Sequence, residues 1–249
     1  MTEALALRLS GLSKAFGGLL AVDGVALSIK PGERRALIGP NGAGKTTLFN
    51  LISGELTPSG GRITLFDRDV TDLPTHRRAA LGLARTYQIT NLFPNLSVLQ
   101  NLLLAVQGLE RTKLMPHRPI TGYSHLYTRA RTVLDSVGMA GKEDLAVKNL
   151  SHGEQRQMEV GMALASRPKI LLLDEPTAGL SLGESHQLTA MLKGLDPDIT
   201  LLVIEHDMDV AFALTDRVTV LHNGRVVADG GHDEVKANPL VAEIYLGVE

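Results

Sequence analysis

The sequence predicts an α/β fold, with a strand-and-helix core interrupted by an all-helical segment and closed by a small β element. Three observations carry this reading. Apolar runs of strand length, bounded by turn residues, lie at both ends of the chain, over 5–38 and 169–228. Between about Asn91 and Arg167 the pattern changes to helices, with no convincing strand. A glycine-rich loop, from Gly39 to Thr46, joins a short apolar run to a helical pattern.

Taken in order, Leu5, Leu7 and Leu9 alternate, as do Val25, Leu27 and Ile29, and read as two strands facing one core. Pro31-Gly32 marks a turn, and Arg34 to Ile38 reads as a short buried strand. A helix is expected from about Lys45, a strand from Arg62 to Phe66, and a helix with Pro74 at its first position. Within the helical segment, Gly108 to Gly122 reads as a long solvated loop. After Arg167 the expectation is a strand over Lys169 to Asp174 and a helix over Leu182 to Leu195. A strand over Thr200 to Ile204 and a helix over Asp207 to Thr215 follow. Asn223-Gly224 between Arg217–Leu221 and Arg225–Ala228 is a strong hairpin signal. The expected division is a core of residues 1–90 and 168–249, and a helical subdomain of residues 91–167.

Composition excludes several classes. With 249 residues and 44% apolar content the chain can bury a full core, and disorder is not in play. The 25 basic residues are scattered against 27 acidic ones, so the basic footprint of a nucleic-acid binder is missing. The lack of cysteine removes disulfides and thiolate metal sites and fits a reducing compartment. The first residues, Met1 to Leu12, have no basic stretch followed by an apolar one, so a signal peptide is not expected. The strongest apolar run, Val98 to Val106, is far shorter than the roughly 20 residues that span a bilayer. A cytoplasmic protein that meets any membrane through a partner is expected.

Gly39-Pro40-Asn41-Gly42-Ala43-Gly44-Lys45-Thr46 matches G-x-x-x-x-G-K-[ST] in the required strand-to-helix context. Glycines let backbone N–H groups approach an anion, and the helix N-terminus adds partial positive charge. Lys45 can reach the β- and γ-phosphates, and the Thr46 hydroxyl can ligate Mg²⁺. Ile170-Leu171-Leu172-Leu173 followed by Asp174-Glu175 reads as the partner strand, with Asp174 toward the metal and Glu175 as general base for water. No N-K-x-D motif for guanine is present. These features narrow the class to P-loop NTPases, with kinases and motors open and a GTPase disfavoured.

Leu150-Ser151-His152-Gly153-Glu154-Gln155 narrows the class. By itself Ser151-x-x-Glu154 is a capping box opening a helix that runs to about Arg167. The segment also closely resembles the LSGGQ signature of ABC ATPases, and the other marks of that family fall in order. Gln88, in Ala84-Arg85-Thr86-Tyr87-Gln88, resembles the Q-loop glutamine. His206, in Ile204-Glu205-His206-Asp207, resembles the switch histidine, and Phe16 sits where the family stacks adenine. The resemblance spans Leu7 to Gly247 and implies a RecA-like core, an inserted helical subdomain and a small antiparallel β-subdomain. It further implies ATP contacts from Phe16, Gly39, Asn41, Gly42, Gly44, Lys45, Thr46 and Thr47. Ser151 and Gly153 would act from a second chain. Mg²⁺ would meet Thr46, Gln88 and Asp174, and catalysis would rest on Glu175, His206 and Gln88.

The stretch from Ala84 to Gln88, with Leu92-Phe93, Val203 to Met208 and Ile244-Tyr245-Leu246-Gly247, is similar to the branched-chain amino acid (Liv-type) importer ATPases. Urea and short-amide importers share much of the pattern. The resemblance implies transmembrane permease subunits, a second ATPase subunit and, indirectly, a periplasmic solute-binding protein as partners. It also implies a place on the inner face of the cell membrane. Leu92, Phe93 and Leu96 are candidate permease contacts. Two departures stand out. His152 and Glu154 replace the usual Gly and Gln of the signature, and Ser181 replaces the aspartate of the D-loop. Alternatives are a soluble ABC ATPase that remodels an assembly, a lipopolysaccharide-export-type ATPase, and a P-loop small-molecule kinase.

Overall fold

The computed structural model describes residues 4–86, 92–108, 110 and 122–246. The chain folds as two compact units. The first comprises Met1–Arg85, Lys169–Pro176 and Asp196–Glu249, and the second Thr86–Pro168 and Thr177–Leu195. Residues 177–195, which the sequence reading places in the core, belong instead to the helical unit.

The first unit holds two sheets. In the six-stranded sheet, β3 (Arg34–Ile38), β6 (Leu83–Arg85), β7 (Ile170–Asp174), β8 (Thr200–Ile204), β9 (Arg217–His222) and β10 (Arg225–Gly231) lie in the order β10-β9-β3-β8-β7-β6. All neighbours are parallel except the β9–β10 hairpin. Strands β7 and β8 are buried at every position, as expected of parallel strands covered on both faces, which is why they read as continuous apolar runs. The hairpin turns on Asn223 and Gly224, both at positive φ. The sequence reading makes this hairpin a separate β element; instead it extends the central sheet, because β9 pairs with β3 as well as with β10.

The antiparallel sheet has the order β2-β1-β4-β5, from β1 (Leu7–Phe16), β2 (Leu19–Ile29), β4 (Gly60–Leu65) and the short β5 (Arg68–Asp69). Strand β2 alternates buried Val25, Leu27 and Ile29 with exposed neighbours. These side chains join Leu7, Leu9, Leu48, Phe49, Ile63 and Leu172 in one apolar core. The helix expected from Lys45 is α1 (Lys45–Ser53). Helix α2 is only Thr75–Ala80, and Pro74 is its N-cap with extended ψ of 161°, one place earlier than the sequence suggests. Asp207 likewise caps α7 (Met208–Leu214), accepting from the N–H groups of Asp209 and Val210. Helices α8 (His232–Lys236) and α9 (Pro239–Leu246) complete the unit.

Arg78, on α2, is 1% exposed and fills the end of α1. Its guanidinium donates to the carbonyls of Leu51 (2.6 Å), Ile52 (2.8 Å), Leu73 (2.8 Å) and Thr71 (3.0 Å). It thus satisfies helix-end carbonyls that burial would orphan. Burial pulls its pKa down, and Asp72 offsets part of that. Arg78→Met is expected to cost about 3 kcal/mol, because several buried acceptors lose a charged donor together. Urea unfolding with unchanged m-value is the check; a loss under about 1 kcal/mol would mean that water replaces the guanidinium.

The second unit packs α3 (Val98–Gly108), α4 (Ser124–Ser136) and α5 (His152–Leu164) together with α6 (Leu182–Lys193). Its apolar core includes Val98, Leu102, Val106, Leu126, Ala130, Leu134 and Met158. The sequence-expected loop over 108–122 falls largely outside the described residues.

Candidate functional site

The phosphate loop follows β3, Glu175 follows β7 and His206 lies two residues beyond β8, so three adjacent parallel strands deliver the site at their C-terminal ends. Gly39 and Gly44 are required there. Their φ values are 152° and 102°, and an added Cβ would come to 2.1 Å from the Leu221 carbonyl and 2.4 Å from the Ala21 carbonyl respectively. Lys45 Nζ donates to the carbonyls of Gly39 (2.7 Å) and Pro40 (3.0 Å). Burial lowers the pKa of this ammonium, while Glu175 and Asp174 act in the opposite direction.

Phe16, Leu19, Ala21, Thr46, Thr47, Glu175 and His206 line a cleft of about 330 Å³ with Asn41 to Lys45. Phe16 is 46% exposed, and the Lys14 ammonium lies 5.2 Å from its ring centre. A larger cavity of about 870 Å³, walled by Arg8, Ser28, Arg35 and Asp229, does not include the phosphate loop. Its buried Arg35 is already paired with Glu33 and Asp229, so size does not identify the site.

Glu175 has φ of 50°, rare for a side chain other than glycine, and its N–H donates to the Ile204 carbonyl at 2.9 Å. Its Oε1 lies 2.7 Å from His206 Nε2, joining the two sequence-predicted residues at the cleft. Asp174 ends β7 and is 2% exposed. Its Oδ2 accepts from Arg85 Nη2 at 2.8 Å, and its Oδ1 is buried without a hydrogen-bond partner. Burial raises the Asp174 pKa, and the Arg85 guanidinium opposes the rise. Sequence reasoning misses Arg85, whose signal is a cation closing a very short strand. Gln88 lies outside the described residues.

In the second unit, Ser151 is the N-cap of α5 and the capping box is complete. Glu154 N–H donates to Ser151 Oγ, and Ser151 N–H donates to Glu154 Oε2 at 2.8 Å. Glu154 also pairs with Lys142, and that contact comes first among the causes that lower its pKa. The departure from Gln to Glu therefore has a local reason: a carboxylate serves the cap and an ion pair together. Ser181 is likewise the N-cap of α6, with Glu184 as its box partner. Glu184 also accepts the Gly153 N–H at 3.0 Å, so the two capped helices are linked by one carboxylate. The repeated S-x-x-E spacing is the signal for it in the sequence.

The Ser181 hydroxyl, the Gly153 N–H and the Ser181 N–H hold the Glu184 carboxyl down at about 2, from an ordinary 4.5. A depressed carboxylate stabilises the fold above its unfolded pKa, and the contribution fades as pH falls through the folded one. The stability gap between this chain and Glu184→Gln should therefore be widest near neutrality and narrow as pH falls from about 4.5 toward about 2. Urea midpoints between pH 7 and about 3 check this; a gap independent of pH would contradict it.

Comparison with known proteins shows the family and the fold. A family model described as ABC transporter matches residues 22–178. The branched-chain amino acid transport ATP-binding protein LivG of Salmonella typhimurium is 39% identical over 248 residues, covering 97% of each chain. BraF of Pseudomonas aeruginosa, named for the same transport, is 36% identical with the same coverage. The crystal structure of a nucleotide-free ATP-binding cassette from an ABC transporter superposes with a TM-score of 0.85 at 32% identity, over 98% of this chain and 100% of the other. A dimeric cassette bound to ADP and Pi superposes with a TM-score of 0.76 at 26% identity, over 90% and 98%. The phosphate loop, the acidic pair at the end of β7 and the capped helix α5 thus sit in a fold shared end to end with such cassettes, and the chain belongs to the ABC transporter family as an ATP-binding ATPase subunit.

Proposed function

We propose that this chain drives an importer of branched-chain amino acids or similar small polar solutes, such as urea or amides. End-to-end identity of 36–39% to LivG and BraF carries the reading. Family membership implies permease and ATPase-subunit partners, and among the described residues no helix is long and apolar enough to cross a membrane. A solute-binding protein on the far side would deliver the cargo. Phe93 is 51% exposed, and its backbone is clamped by the buried Asn101 side chain, which accepts from Phe93 N–H and donates to its carbonyl. That presentation supports Phe93 as a permease contact.

In hydrolysis, Lys45 and the loop N–H groups hold the β- and γ-phosphates, and Phe16 supports the adenine. Glu175 takes the proton of the attacking water, and His206, hydrogen-bonded to Glu175, keeps the carboxylate turned toward the cleft. Ser151 and Gly153 of a second chain contribute a helix N-terminus to the γ-phosphate. The residues present fit Mg²⁺: Asp174 Oδ1 is buried and unpartnered, and Thr46 is exposed on the cleft. No group of three or more His, Cys, Asp or Glu side chains is arranged for a metal among the described residues; Mg²⁺ characteristically takes few protein ligands beside phosphates and water. Thr46 and Asp174 would hold the ion, which would supply neutralisation of phosphate negative charge.

Reconstitution of this chain with permease subunits and a solute-binding protein tests the cargo. Leucine or urea is expected to stimulate phosphate release in vesicles several-fold. Stimulation by neither, with another solute effective, would overturn the assignment.

A further inference from the structure

The end of β6 carries a buried cation that joins three elements. The side chains of Arg85 and Asp174 are 7% and 1% exposed. One guanidinium nitrogen, Nη2, donates to Asp174 Oδ2 at 2.8 Å. A second, Nη1, donates to Asn50 Oδ1 (2.6 Å), Ser53 Oγ (3.2 Å) and Glu55 Oε1 (3.1 Å). The same guanidinium lies 5.7 Å from the centre of the Phe49 ring. Thr46, Asn50 and Ser53 are spaced i, i+4 and i+7, so they form one stripe along α1. Arg85 therefore grips the lower part of the stripe whose first member is Thr46, and with its other arm grips Asp174.

We infer that Arg85 is a positioning residue for the metal site: it spaces Thr46 from Asp174 and, by occupying Oδ2, leaves Oδ1 as the oxygen offered to the ion. This rests on the reading of Thr46 and Asp174 as Mg²⁺ ligands. The geometry needs a planar fork with two donating edges, because the acceptors on α1 and on β7 are distinct groups held by one side chain. Lysine, a single ammonium, can satisfy one side fully but not both. Positioning partners of metal ligands typically change metal affinity 10- to 100-fold when removed.

The test is calorimetric binding of AMP-PNP to the purified chain, in EDTA and in Mg²⁺, whose ratio of affinities isolates the metal. Arg85→Met is expected to leave metal-free affinity within about twofold and to reduce the Mg²⁺ enhancement about tenfold. Arg85→Lys should recover part of it. Asn50→Ala, which keeps the Arg85–Asp174 contact and loses the shorter of the two α1 anchors, should lose part of it. It decides the same question if Arg85→Met does not fold. Equal weakening in both conditions, or an unchanged enhancement in Arg85→Met and Asn50→Ala, would overturn the inference. Asp174→Asn separates the underlying reading: if it keeps the full enhancement, Asp174 is not a ligand at all.

Discussion

With Glu175 replaced by glutamine, the chain is expected to bind ATP as before and to release phosphate about 10²- to 10⁴-fold more slowly. The amide keeps the size and the hydrogen-bonding reach of the carboxylate but cannot accept a proton from water. Three features make a large effect on rate the expectation. Glu175 lines the same cleft as Lys45 and Thr46, its backbone is held at a φ of 50°, and its Oε1 is fixed at 2.7 Å by His206. A strained backbone at a cleft residue is kept where the surrounding structure over-determines it, here by the Glu175 N–H bond to Ile204. His206→Ala should act in the same direction with a smaller effect, because Glu175 remains but loses its orienting partner. Single-turnover phosphate release measures both; a Glu175→Gln rate within threefold of the parent would remove Glu175 from the role of base.

Ser151→Arg is expected to abolish hydrolysis while the affinity of a single chain for ATP stays within about twofold. The N-cap position places a bulky cation where backbone N–H groups and the helix dipole are proposed to meet a γ-phosphate on another chain. The substitution also deletes the acceptor for Glu154 N–H, a loss of about 1 kcal/mol that by itself leaves the fold intact. Ser151→Ala separates the two contributions, since it removes the cap without adding bulk. Equilibrium binding of a fluorescent ATP analogue beside steady-state phosphate release is the measurement. A large loss of single-chain affinity would mean that Ser151 acts within its own chain.

The strands that carry the site are legible in the sequence because they are long enough and apolar enough to show a pattern. Strand β8 is observed as Thr200–Ile204, as expected, and β7 begins one residue later than expected. Strands β5 and β6, of two and three residues, are too short for any period, and they exist because longer neighbours offer free edges. That is also why Arg85 reads, in sequence, as part of a Q-loop stretch and not as the end of a strand. The placement of the β9–β10 hairpin depends on a pairing with β3, far away in the chain, that no local pattern encodes. In the signature segment the capping-box reading is the one observed. The helix cap is observed in full, and it is the same backbone that the composite site would use. Ser181, which breaks the D-loop pattern, is explained by its own cap on α6, a role that serine fills as well as aspartate does.

ATP is proposed to join two cassettes by binding between them. Light scattering on the Glu175→Gln chain tests it most directly, because slow hydrolysis preserves whatever ATP assembles. The mass should rise from that of one chain with ADP to that of two with saturating ATP and Mg²⁺, and return to one when Ser151→Arg is added. A single-chain mass at saturating ATP would contradict the claim.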